Sequence, residues 1–131
     1  MKTLVISLFT NDRSLQECVA EVLSKTGGVS YLAEEAGDVL DLVCTTGQDL
    51  DLAVIDCEHN PHGLTLVNLI NSRLQAFPII VLIGPGEKQS EALAYACGAT
   101  VCLSKPVSEM QLVEAMNQCH RPQCQLASVA C

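Results

Sequence analysis

Four short apolar runs constrain this chain more than anything else in it: Leu4–Phe9, Leu52–Ile55, Ile79–Ile83 and Thr100–Leu103. Within Leu52-Ala53-Val54-Ile55 no polar residue alternates with the apolar ones, so the run reads as a strand covered on both faces. A shorter piece, Val29–Leu32, follows Gly27-Gly28. Between these runs the apolar residues recur at helical spacing. Leu15, Val19, Val22 and Leu23 mark the face of a first helix that the glycine pair ends. Val39, Leu40, Leu42 and Val43 mark a short second helix stopped near Gly47. Leu66, Val67, Leu69, Ile70 and Leu74 mark a third. Ala92, Leu93, Tyr95 and Ala96 mark a fourth closed by Gly98, and Met110, Leu112, Val113 and Met116 mark a fifth. Five strands alternating with five helices over short connections is a (βα)5 order. It predicts one α/β domain with a parallel, doubly wound sheet and helices on both faces. The domain is expected over 1–120. From about Arg121 the segment "RPQCQLASVAC" loses periodicity, and 121–131 reads as a tail or linker.

At 131 residues the chain suffices for one buried core, and its 49% hydrophobic residues exclude disorder. Seven Lys plus Arg against fifteen Asp plus Glu give a net charge of -8. That balance argues against nucleic acid, which requires a basic surface. "MKTLVISLF" has one lysine but no small-residue cleavage site after it, so it reads as a strand rather than a signal peptide. No apolar stretch approaches the length of a membrane span. A cytoplasmic location, away from membranes, is therefore expected. Eight cysteines suggest disulfides by number only. Cys18, Cys44, Cys97 and Cys102 fall inside apolar patterns, where free cysteine behaves as a small hydrophobe. They are expected reduced and slow to react with thiol reagents. Cys119, Cys124 and Cys131 crowd the C-terminal end beside His120 in no zinc spacing, and they are expected to react fast.

Parallel strands put all their carboxyl ends on one rim, which is where open α/β sheets bind ligands. That rim would carry Thr10, Asn11 and Asp12 after strand one, Asp56 after strand three, Ile83 and Gly84 after strand four, and Ser104, Lys105 and Pro106 after strand five. Asp56 breaks off the apolar run "LAVI", and as a bare residue it serves equally as a turn cap. Lys105 ends the nearly apolar "VCLSK" and requires an anionic partner, because an unpaired buried ammonium is costly. Asp56 is the candidate for that partner.

The strand-ending Asp56, Gly98-Ala99 before strand five and Lys105-Pro106 after it, in that order and spacing, resemble the receiver domain of two-component response regulators, from Thr3 to about Cys119. The resemblance implies a flavodoxin-like sheet in the order 2-1-3-4-5, and a domain that is not an enzyme. It implies Asp56 as phosphoryl acceptor, Lys105 as the lysine paired with it and with the phosphoryl group, a Mg2+ ion in the same pocket, and a cis peptide bond into Pro106. It also implies docking of a histidine kinase, an effector or a second copy on the face made by helix four, strand five and helix five. Here that face would carry Glu91, Tyr95, Glu109 and Glu114 and would suit a basic partner.

The chain departs from the family pattern at several positions. Thr10 and Asn11 stand where two adjacent acids hold Mg2+. Asp12 follows one place later; it is read first as the N-cap of helix one, and as a metal ligand beside Asp56 if the loop shifts by a residue. Ile83, next to Gly84, stands where a hydroxyl contacts the phosphoryl group, and Cys102 replaces the aromatic switch residue. Pro61 lies one place later than usual in a loop that holds His59 and His62. Hard Mg2+ prefers oxygen ligands, including carboxylates, so the expected Mg2+ site is weakened. The reading that follows is an atypical or pseudo-receiver with a degenerate Mg2+ and phosphoryl pocket, acting by protein docking. The alternative is a receiver phosphorylated on Asp56 by a histidine kinase. A third reading ranks last: a small metal- or phosphate-binding enzyme, with Cys57, His59 and His62 as zinc ligands or "GPGEKQS" as a phosphate loop. That loop lacks the G-x-x-x-x-G-K-[ST] spacing.

Overall fold

The apolar runs become five parallel strands in the order β2-β1-β3-β4-β5. In this computed structural model the described residues are 4–33, 35, 37–41, 50–60, 62–74 and 76–130, with side chains described as far as Cys119. The elements are β1 (Val5–Phe9), α1 (Arg13–Thr26), β2 (Val29–Ala33), a helical segment at 37–41 designated α2, β3 (Leu52–Asp56), α3 (Gly63–Arg73), β4 (Ile79–Ile83), α4 (Lys88–Cys97), β5 (Val101–Ser104) and α5 (Glu109–Ala130). The flavodoxin-like order expected from the sequence is the observed one. Leu42, Val43, Cys44, Gly47 and Pro61, on which parts of the sequence reading rest, lie outside the described residues.

The lack of alternation in the strands follows from what covers them. Ile6, Leu8, Leu52, Val54, Ile80 and Leu82 face one core layer, built with Leu15, Val19 and Val22 of α1 and Leu112 and Met116 of α5. Phe9, Ala53, Ile55, Ile79, Val81 and Ile83 face the opposite layer, built with Val39 of α2, Leu66, Val67 and Ile70 of α3, and Ala94 of α4. Both faces of the central strands are therefore dry, and every position of β3 and β4 is buried. β2 is an edge strand and is covered less, leaving Val29, Tyr31 and Leu32 about half exposed.

Local chemistry sets the helix ends. Asp12 caps α1 by accepting the Ser14 N–H at 2.9 Å. Gly27, at φ +80, closes α1 in the left-handed conformation that glycine adopts without penalty. α5 continues as helix past position 121. Cys119 lies on its inner face, 5% exposed and packed into the core beside Met116. This corrects the expectation of a reactive Cys119: helical spacing carries the apolar face of α5 one turn further than the sequence pattern suggested.

Candidate functional site

The carboxyl ends of β1, β3 and β5 converge on one ammonium group. Lys105 Nζ lies 2.7 Å from Asp56 Oδ2, 2.8 Å from Asp12 Oδ2 and 3.1 Å from Glu58 Oε1. The strand register builds this arrangement. β4 pairs with β3 through Asp56 and Leu82 and with β5 through Ile83 and Ser104, so the residues just beyond these strands share one rim. The Lys105 backbone N–H donates to the Ile83 carbonyl at 2.9 Å, which extends the β4–β5 pairing by one step and aims the side chain across the rim. The peptide bond from Lys105 to Pro106 is cis.

Asp56 is buried, and each of its carboxylate oxygens has a partner. Oδ2 accepts from the Thr10 hydroxyl at 2.5 Å as well as from Lys105, and Oδ1 accepts the Glu58 backbone N–H at 3.0 Å. The Thr10 hydroxyl in turn accepts the Asp12 N–H at 2.9 Å. Asp12 divides its two oxygens, Oδ1 to the helix cap and Oδ2 to Lys105. The cap and the pocket are thus not alternatives for this residue. The Lys105 hydrogen bond holds the Asp12 carboxyl below its ordinary value, against a smaller opposing effect of burial. Burial pulls the Lys105 ammonium down, but its hydrogen bonds to Asp12, Asp56 and Glu58 outweigh that, and the net shift is upward.

The other residues singled out in the sequence sit as follows. Ile83 is buried at the end of β4, packed into the α3–α4 core layer. Gly84 lies under two acids: a Cβ there would come within 2.4 Å of Glu87 Oε1 and 3.0 Å of Glu58 Oε2. Cys102 is buried in β5, an edge strand, and its backbone N–H donates to the Tyr95 hydroxyl of α4 at 3.1 Å. Pro106 lines a cavity of about 360 Å3 together with Asp12, Leu15, Glu58, Pro85 and Lys105. A second cavity of about 260 Å3 opens over Asp56 and is lined by Asn11, Asp12, Glu58, His59, Asn60 and Lys105. Cys57 is half-buried against Gly63, and burial first, then the nearby Asp56 charge, pushes its thiol up to about 12. Among the described residues no group of three or more His, Cys, Asp or Glu side chains is disposed to hold a metal ion, so Cys57, His59 and His62 do not form a zinc site.

Sequence reasoning missed Glu58. The available signal was its position two residues after Asp56, but a loop carboxylate has no periodicity to aim it. The following residue, His59, has φ +57. That left-handed step helps turn the loop back over the rim.

The family model of the response regulator receiver domain matches residues 6–117. This chain belongs to that family. The receiver resembles the receiver domain protein of Clostridium thermocellum with a TM-score of 0.82 and 21% identity, over 94% of this chain and 98% of the other. A response regulator from Thermotoga maritima gives a TM-score of 0.78 at 19% identity, over 89% and 97% of the two chains. NtrX from Brucella abortus gives a TM-score of 0.83 at 19% identity; the match takes in 98% of this receiver but only 29% of the NtrX chain. No curated protein sequence matches. The family is a signalling family rather than an enzyme family. Its receivers accept a phosphoryl group in a site that typically binds Mg2+, and they interact with histidine kinases and effector domains. No helix among the described residues is long and apolar enough to cross a membrane.

Proposed function

We propose that this receiver works as a docking module of a two-component system, with Asp56 and Lys105 retained as a structural ion pair beneath a degenerate phosphoryl pocket. The observation that carries this reading is the hydrogen bond from Thr10 to Asp56. A neutral hydroxyl donates to the acceptor oxygen where a carboxylate would have to hold a cation. Ile83 adds no donor, because its side chain is apolar. Phosphoryl transfer to Asp56 would form a bond from a carboxylate oxygen to phosphorus and break the bond from phosphorus to the donor. Negative charge on the equatorial oxygens must then be offset. The Asp12 and Asp56 oxygens that could hold Mg2+ there are already engaged by Lys105, Thr10 and backbone N–H groups. The donor set in this arrangement does not fit the ion.

Docking is assigned to α4, β5 and α5, where Leu93, Tyr95 and Met110 are large exposed apolar side chains and Glu91 and Glu114 are exposed acids. Glu109 is removed from the acidic set expected there, because Lys25 of α1 binds it at 2.9 Å. A basic partner, a histidine kinase or an effector, suits this face, as does a second copy through its apolar residues. The receiver unit is taken as 1–120, with 121–131 as a tail or linker, in a cytoplasmic protein. A second reading, phosphorylation of Asp56, is favoured by one observation: the Asp12 carboxylate reaches the pocket beside Asp56.

Incubation with acetyl phosphate in Mg2+ buffer, followed by intact-mass measurement, separates the two. The docking reading expects no adduct. An adduct on the unaltered chain that disappears in Asp56→Asn overturns it. On the docking face, reversing the charge of Glu91 and Glu114 is expected to weaken partner binding in a salt-dependent way.

A further inference from the structure

The Lys105 ammonium meets three carboxylates: it donates hydrogen bonds to Asp56 at 2.7 Å and to Asp12 at 2.8 Å, and it stands in an ion pair with Glu58 at 3.1 Å. Lys105 is only 10% exposed, so water cannot easily substitute for a partner that leaves. The three carboxylates are not held alike. Asp56 is also bound by Thr10 and by the Glu58 N–H, and Asp12 also caps α1. The Glu58 carboxylate has the longest of the three contacts, and its other ion-pair neighbour is His59 at 3.9 Å, on a side chain 90% exposed. Its second oxygen lies over Gly84, within 3.0 Å of where a Cβ would stand. Asp12, Glu58 and Lys105 line both cavities of the rim, so the Glu58 side chain lies between them.

Resting on the docking reading above, we propose that Glu58 is a built-in anion. Its carboxylate stands against Lys105 as a third anion and covers Gly84, and it thereby closes the rim to a small oxyanion from solution. An oxyanion entering above Asp56 needs a cation to meet it, and among the described residues Lys105 is the lysine that lines both cavities. That oxyanion must displace a carboxylate, and Glu58 is the one held by fewest bonds. It must also enter a group of three carboxylates and one ammonium, whose net charge already repels it. Neutralising Glu58 releases one of the three anions on Lys105 and removes one of the repelling charges at the same place. Glu87, the other acid over Gly84, makes no contact with Lys105 and bonds instead to Ser90 at 3.1 Å. Neutralising it removes a charge but takes no anion off Lys105.

Inorganic phosphate, titrated at constant ionic strength and followed through backbone amide shifts, tests this and reports at the same time whether each variant is folded. Glu58→Gln is expected to bind phosphate on the order of tenfold or more tightly than the unaltered chain, with the shifts centred on Asp56, Gly84 and Lys105. Adding Lys105→Met is expected to abolish the gain, and Glu87→Gln is expected to give less than Glu58→Gln. Equal binding by Glu58→Gln and the unaltered chain overturns the proposal. So does an equal gain from Glu87→Gln, or a set of shifts away from the rim. Labelling of the unaltered chain by acetyl phosphate would instead overturn the docking reading, leaving the role of Glu58 to be decided by the phosphate titration.

Discussion

Asp12 and Lys105 stand 93 positions apart in the chain and meet at 2.8 Å on the rim of the sheet. The contact links the start of α1 to the end of β5, and it competes with nothing else that Asp12 does, because the other carboxylate oxygen caps the helix.

The Asp12–Lys105 pair makes stability depend on acid pH. The Asp12 carboxyl is held below its ordinary value of 3.8, first through its hydrogen bond to Lys105. A carboxylate depressed in the folded state contributes stability above its unfolded value and loses that contribution as the pH falls through the folded one. Asn caps helices about as well as Asp, so Asp12→Asn removes the ion pair and spares the cap. Chemical unfolding is expected to show the variant less stable above about pH 5, with the gap closing below about pH 4. A gap that stays constant through the acid range would mean that the pair contributes nothing.

Rebuilding the pocket tests the degenerate reading from the other side. Thr10→Asp with Asn11→Asp restores carboxylates at the end of β1, and Ile83→Thr supplies a hydroxyl. Removing one group that stabilises developing charge costs roughly 2.7–4 kcal/mol of barrier, or about a hundredfold or more in rate. The triple variant is therefore expected to gain an acetyl phosphate adduct by intact mass, and Asp56→Asn is expected to abolish it. Ile83→Thr buries a hydroxyl and is expected to cost about 1–3 kcal/mol of stability, so unfolding curves accompany the labelling.

The thiols of Cys57, Cys102 and Cys119 are expected to be protected by burial. Burial pushes Cys102 and Cys119 each up to about 11 and Cys57 up to about 12. At neutral pH the thiolate fraction of the first two is roughly one in ten thousand, and the thiolate is the nucleophile. All three are expected to react slowly with a disulfide reagent until the chain is unfolded, when they should react at the rate of a free thiol. Peptide mapping after a timed pulse of reagent would locate the label. Rapid modification of Cys119 in the folded chain would place α5 differently on the sheet.

Gly98 closes α4 at φ +120, and a Cβ there would stand 2.4 Å from Asn71 Cγ and 2.7 Å from Asn71 Cβ of α3. Gly98→Ala faces both an unfavourable backbone conformation and a collision close to the Asn71 backbone. A loss of about 1–3 kcal/mol is expected, read from thermal or denaturant unfolding. Asn71→Ala alone leaves the Cβ contact in place, so it is not expected to rescue the variant fully.

The strands and helices were legible in the sequence because periodicity is a local property. Ile79–Ile83 forms a strand with the bounds its apolar run suggested, and Gly27 and Gly98 end α1 and α4. Order and spacing along the chain also carried the rim positions of Asp56 and Lys105, since parallel strands bring their carboxyl ends together wherever they lie in sequence. What each rim carboxylate bonds to was decided by the tertiary structure alone. Asp12 appeared in the sequence as a choice between cap and pocket, and two oxygens on one side chain serve both. Glu58 gave no local sign, because its direction comes from a left-handed turn at His59 and from an ammonium 47 residues further along the chain. Cys119 read as a reactive thiol at the C-terminal end of the domain and lies in the core, because burial on α5 depends on the sheet beneath it. A residue's periodicity is written in its neighbours along the chain, whereas its partners are set by what the fold brings within about 3 Å of it.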